Sequence, residues 1–146
     1  MDKPWAYFDT STYLKLYVKE SGSDKALKAA KANHLLSSAV LSVEALSALA
    51  RRRQSGDVDE KDFKIILKNI RDGFDSVETI RVTDDVLGMA EEITMRSVAR
   101  AMDAIHIASA LLFRNGAGIE LTFVTSDKKQ HEAALHEGLK TLFVGK

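Results

Sequence analysis

Short apolar runs alternate along the chain with longer stretches of helical period. Trp5, Ala6, Tyr7 and Phe8, closed by Asp9, read as a buried first strand, with Pro4 ahead of it where a missing N–H does least harm. Thr10, Ser11 and Thr12 supply N-caps for a helix to about Val18. Residues 19–23 interrupt it, and a second helix runs from Asp24 to Ala32. A short strand over 34–37 leads into an Ala/Leu-rich helix over 38–53. After a turn at 55–57, Asp57 and Glu60 predict a capping box and a helix to about Arg71. Residues 77–82 alternate like a strand, and Thr83 with Asp84 and Asp85 predicts the start of the next helix. A weak point at 97–100 precedes a helix over 102–113, ended by Asn115, Gly116, Ala117 and Gly118. A strand over 121–125, a helix over 128–138 and a strand over 141–144 complete the pattern.

Strands separated by helices indicate parallel βαβ units. The expected architecture is a single α/β domain over residues 1–146, with four or five parallel strands between helical layers. Its apolar share of 45% and charged share of 29% are ordinary for a globular protein. No apolar run approaches the roughly 18 residues of a membrane span. The N-terminus, Met1-Asp2-Lys3-Pro4, does not read as a signal peptide. With no cysteine there is neither a disulfide framework nor a thiolate metal site, and a cytoplasmic protein without membrane contact is expected. Lys+Arg and Asp+Glu both number 21, so attraction to nucleic acid must be local. The basic groups that could supply it are Arg51, Arg52, Arg53, Arg96, Arg100, Lys128 and Lys129.

Four carboxylates break the apolar pattern: Asp9 after the first strand, Glu44 within the 38–53 helix, Asp103 inside Met102-Asp103-Ala104-Ile105-His106-Ile107, and Asp127 after the 121–125 strand. A carboxylate beside apolar sequence is costly to desolvate unless paired, hydrogen-bonded or bound to a metal. Taken singly, Asp9 and Asp127 read first as helix caps, and Glu44 as an exposed helix residue. Asp103, surrounded by apolar neighbours, resists an ordinary explanation. Ligands in open α/β sheets bind beyond the carboxyl ends of the strands, where strand order reverses. If the strands ending at Asp9 and Asp127 are neighbours there, these carboxylates share a crevice. A cluster with only oxygen donors calls for a hard cation, Mg²⁺ or Mn²⁺, of the kind that serves phosphoryl transfer. Such a cluster should strain the metal-free protein, so that Asn at position 9 or 103 leaves stability level or raised.

Competing motifs are weak. There is no phosphate-binding GxxxxGK[ST] loop and no H-E-x-x-H, and Ser11 and Ser126 have no evident His partner. His106, one turn after Asp103, reads as a plain helix histidine or as an orienting partner for Asp103. Asp9-Thr10-Ser11-Thr12 is faintly similar to the nucleophile loop of haloacid-dehalogenase-type phosphatases, but Ser11 stands where that loop has its second Asp.

In order, Phe8-Asp9-Thr10-Ser11, Ser37-Ser38 leading to Glu44-Ala45-Leu46-Ser47-Ala48, Met102-Asp103-Ala104-Ile105-His106-Ile107-Ala108 and Val124-Thr125-Ser126-Asp127 resemble the PIN-domain nucleases. The likeness is nearest to the VapC-type toxins of toxin–antitoxin pairs and spans essentially the whole chain. It implies a flavodoxin-like (PIN-like) α/β/α fold and a metal-dependent endoribonuclease. It also implies that Asp9, Glu44, Asp103 and Asp127 hold Mg²⁺ or Mn²⁺, Asp9 and Asp103 most directly. Expected partners are an RNA substrate, a small antitoxin protein whose C-terminal segment fills the groove, and a second copy in a homodimer. Gln130 departs from the apolar residue usual after the last motif, which touches local packing only. Two other readings are a non-catalytic PIN-like module that binds RNA or protein and, less favoured, a metal-dependent phosphatase. Leu14, Leu16, Tyr17, Leu46 and Leu49 offer apolar faces for core or for a partner helix.

Overall fold

The structure, a computed structural model, describes residues 3–145; Met1 and Asp2, with which the N-terminal reading begins, lie outside it, as does Lys146. Five parallel strands form one sheet: β1 (Trp5–Phe8), β2 (His34–Ser38), β3 (Val77–Ile80), β4 (Leu121–Thr125) and β5 (Lys140–Phe143). Their order is β3-β2-β1-β4-β5. The chain builds outward from β1 first to one side and then to the other, so order reverses between β1 and β4.

The helices are α1 (Thr10–Lys15), α2 (Ser23–Ala32), α3 (Leu41–Gln54), α4 (Glu60–Gly73), α5 (Asp84–Ser97), α6 (Ala101–Ala117) and α7 (Lys128–His136). Strand β1 is buried on both faces, which explains its unbroken apolar run. Tyr7 joins a core with Leu36, Phe123, Ile93, Ile107 and Ala134, beneath α5, α6 and α7. Ala6 and Phe8 point the other way, into a cluster with Ala29, Val124 and Val144. Tyr13, Leu14, Leu41, Ala45, Leu49 and Ile70 bind α1, α3 and α4 into a third cluster. Leu16, Tyr17 and Leu46 pack against that same cluster, so the five positions offered for a partner helix are core. Among the described residues no helix is long and apolar enough to cross a membrane.

Several boundaries differ from the expected ones by one to four residues, and two of the differences have a visible cause. The cap of α4 is Asp59, whose side chain accepts from the Asp62 N–H, rather than Asp57. The Asp57 and Val58 N–H groups bond back to the Arg52 carbonyl and close the end of α3, so Asp57 is engaged there instead. Helix α6 continues through Gly116 and stops at Gly118, which takes the left-handed conformation (φ 64°) that glycine adopts without a Cβ clash.

Val98, which ends α5, has φ 52°, an unfavourable conformation for a β-branched residue. Its side chain is 90% exposed, so packing offsets little of the strain. Relief of such strain contributes about 1–3 kcal/mol, against about 0.4–1 for the freedom glycine adds to the unfolded chain. Val98→Gly is therefore expected to raise the melting temperature by a few degrees; calorimetry showing a lower value would refute the strain.

Candidate active site

At the reversal point the carboxyl ends of β1 and β4 lie side by side, with the Asp9 N–H on the Val124 carbonyl. A cavity of about 460 Å³ opens there, lined by Asp9, Glu44, Asp103 and Asp127, with Thr10, Ser11, Arg51 and His106 among its other walls. All four sequence-selected carboxylates thus reach one crevice, graded from buried Asp9 through half-buried Glu44 and Asp103 to exposed Asp127.

Asp9 is the anchor. Its Oδ1 accepts from the Ser11 hydroxyl (2.7 Å), the Thr12 N–H (3.0 Å) and the Thr12 hydroxyl (3.0 Å), and its Oδ2 from the Thr125 hydroxyl (2.5 Å). The capping role read from sequence is real, and it fixes the carboxylate at the crevice floor. Thr125 also accepts the Asp127 N–H (3.1 Å), coupling the two strand ends. Asp127 caps α7 through Oδ1, which takes the Lys129 and Gln130 N–H groups, while Oδ2 has no hydrogen bond to another described residue.

Asp103 lies in the first turn of α6, where the positive helix end favours a carboxylate. Its carboxyl is nevertheless raised to about 6: burial comes first, then the charges of Asp127 and Asp9, with His106 and Arg100 offsetting only part. No described residue hydrogen-bonds its carboxylate oxygens; Gln130 Nε2 donates instead to its backbone carbonyl (3.2 Å).

Glu44 behaves oppositely. Burial alone would raise its carboxyl, but the hydrogen bond and charge of His106, with the Thr10 hydroxyl, hold it below the usual value. Both donors converge on Oε1, each at 2.7 Å. His106 therefore serves Glu44 rather than Asp103, a pairing across 62 residues that periodicity does not reveal. Thr125 and Tyr7 are the polar contributors that the sequence does not single out, whereas His106, expected beside Asp103, is set by the structure on Glu44. A hydroxyl at a strand end before the last acid is the one signal in the sequence that points to Thr125.

Among the described residues no three His, Asp or Glu side chains are set closely enough to cage an ion by themselves. Uncompensated carboxylates repel, and Mg²⁺ characteristically takes one or two of them and completes its shell with water and phosphate oxygens. The donor set fits that use: all oxygen, with oxygens of Glu44, Asp103 and Asp127 free of hydrogen bonds to described residues.

The chain is 27% identical over 138 residues to Ribonuclease VapC45 of Mycobacterium tuberculosis, covering 94% of each protein, and equally to Ribonuclease VapC49 of the same species. Solved structures of similar fold include VapBC2 from Rickettsia felis bound to a promoter DNA fragment (TM-score 0.66, 14% identity, 95% of this chain and 98% of that one). A toxin–antitoxin complex from Klebsiella pneumoniae matches with TM-score 0.63 and 18% identity, over 97% of this chain and 98% of that one. The resemblance to VapC-type PIN-domain proteins is borne out. No family model matches the sequence.

Gln130 does more than fill space. It is buried, its Nε2 ties the first turn of α7 to that of α6, and its Oε1 has no partner among the described residues. The departure from the usual apolar residue thus links the elements that carry Asp103 and Asp127. A second groove of about 820 Å³ continues from these two carboxylates between the α5–α6 joint and α7, lined by Arg96, Arg100, Lys128 and Lys129 among others.

Proposed function

We propose that the chain is an endoribonuclease, the toxin of a toxin–antitoxin pair, whose Asp9, Glu44, Asp103 and Asp127 hold Mg²⁺ or Mn²⁺. The observation that carries this is the meeting of four carboxylates in one crevice at the sheet's reversal point. Near full-length likeness to proteins named as ribonucleases supports the substrate class, and structural neighbours that are toxin–antitoxin complexes support a small antitoxin partner. A homodimer belongs to the same reading.

When bound, such a cation acidifies water and neutralises charge on a phosphate. The chain's own part is positional. Asp9 is locked by four donors at the floor, Asp127 is held by its cap, and Asp103 lines the crevice with neither carboxylate oxygen hydrogen-bonded to a described residue. Water then adds to the phosphorus in line with the departing 3′ oxygen, leaving a 5′-phosphate and a 3′-hydroxyl. Purified protein with Mn²⁺ should cleave RNA to those ends and leave a phosphomonoester intact. Phosphomonoester hydrolysis without RNA cleavage would favour the phosphatase, and 2′,3′-cyclic phosphate ends would mean attack by the ribose hydroxyl rather than water.

The structure divides the basic groups. Arg52 pairs with Glu20, Arg53 with Glu60 and the Phe63 ring, and Arg96 is gripped by both oxygens of Glu137. Arg100, Lys128 and Lys129 have no carboxylate partner among the described residues and line the second groove, while Arg51 lines the first cavity. With a non-cleavable RNA, neutralising Arg100, Lys128 or Lys129 should weaken binding and reduce the salt slope by about 0.7–1 for each phosphate that the variant no longer neutralises. Arg52→Ala and Arg53→Ala should leave that slope alone. The reverse ranking would put the RNA path elsewhere.

A further inference from the structure

Behind Glu44 lies a buried polar chain for which the proposed function has no assigned use. Tyr7 and His106 are almost wholly enclosed, at 0% and 2% exposure. The Tyr7 hydroxyl stands 2.7 Å from His106 Nδ1, and His106 Nε2 stands 2.7 Å from Glu44 Oε1. The Tyr7 ring is fixed in turn by stacking on Phe123 (5.3 Å, 8°) and meets the His106 ring edge-on (5.7 Å, 77°).

A carboxylate only accepts hydrogen bonds, so the contact with Glu44 requires the proton on Nε2. Nδ1 then meets the Tyr7 hydroxyl, which donates to it in the neutral ring and accepts from it in the charged one. Both ring nitrogens are thus committed to side chains, and one of those side chains faces the cavity. A histidine kept only for packing would not need a cavity carboxylate as its partner. With the Thr10 hydroxyl also on Oε1, two donors hold that oxygen, and Oε2 has no hydrogen bond to another described residue.

We propose that Tyr7 and His106 are a positioning pair that holds Glu44 through Oε1 and leaves Oε2 for the divalent cation. The proposal rests on the metal-dependent reading above and adds to it which buried groups set the site's affinity. Partners behind the direct ligands typically change metal affinity 10–100-fold when removed.

The test measures Mn²⁺ binding without RNA, by calorimetric titration, at a temperature where circular dichroism shows each protein folded. His106→Leu, which removes the donor, should weaken Mn²⁺ binding at least about 10-fold. His106→Gln, whose amide N–H can still reach Glu44, should recover part of the loss, and Tyr7→Phe should fall between parent and His106→Leu. Folded variants that bind Mn²⁺ as the parent does would overturn the positioning role and leave the metal-dependent reading standing. A parent that binds no Mn²⁺ would overturn both. Independently of any variant's folding, nitrogen-15 spectra of the histidines in the metal-free protein should find a proton on His106 Nε2. An Nε2 without a proton overturns the proposal.

Discussion

Asp103→Asn is expected to lower RNA cleavage by about 100-fold or more, the scale of losing one preorganised electrostatic group. The same substitution should stabilise the metal-free protein. The Asp103 carboxyl is raised to about 6, by burial first and then by Asp127 and Asp9. Below the ordinary carboxylate range, both folded and unfolded chains carry the proton and the site costs nothing. As pH rises, the unfolded chain ionises first, and stability falls until the folded carboxyl has also ionised, above about pH 6. Solvent reaching this half-buried group screens part of the effect, leaving roughly 1 kcal/mol, or about 2–4 °C. In EDTA the variant should therefore melt above the parent at pH 7–8 and level with it near pH 4. An unchanged difference across that range would show that the cluster does not strain the protein.

Asp9→Asn separates from Asp103→Asn, contrary to the expectation that both leave stability level or raised. An Asn side chain sets an amide NH₂ against the Thr125 hydroxyl, which donates to Asp9 Oδ2 at 2.5 Å in a fully buried place. Losing that acceptor costs about 1–3 kcal/mol. This loss outweighs the relief of repulsion at a carboxylate whose oxygens are already satisfied by four donors.

Chelation is the second large effect. EDTA is expected to abolish cleavage, and excess Mg²⁺ or Mn²⁺ to restore it, whereas Ca²⁺, with longer and looser coordination, restores little. By mass action, Mn²⁺ at 100 times its dissociation constant stabilises the parent by about 2.7 kcal/mol, roughly 5–10 °C in melting temperature. The Asp103→Asn variant should gain much less. Full cleavage in excess chelator, or equal Mn²⁺ shifts for parent and variant, would remove the metal from the mechanism.

The strand–helix alternation and the apolar run at residues 5–8 were enough to specify parallel βαβ units, because a strand buried on both faces leaves no polar alternation. The four carboxylates were equally legible, since an acid among apolar residues is conspicuous wherever the chain later carries it. Local caps were less so: Asp57 and Asp59 offer the same chemistry, and only the closure of α3 by the Asp57 and Val58 N–H groups leaves Asp59 as the cap of α4. Which apolar side chains face a core rather than a partner was also decided in three dimensions, as Leu14, Leu16, Tyr17, Leu46 and Leu49 all pack into one cluster. The partnership of His106 with Glu44 and Tyr7 depends on α3, α6 and β1 meeting, at separations of 62 and 99 residues. A hydrogen bond is a matter of tenths of an ångström and of direction, whereas periodicity specifies only a face. The sequence by itself therefore determined the layers and the acids, and the tertiary structure alone decided how each acid is held.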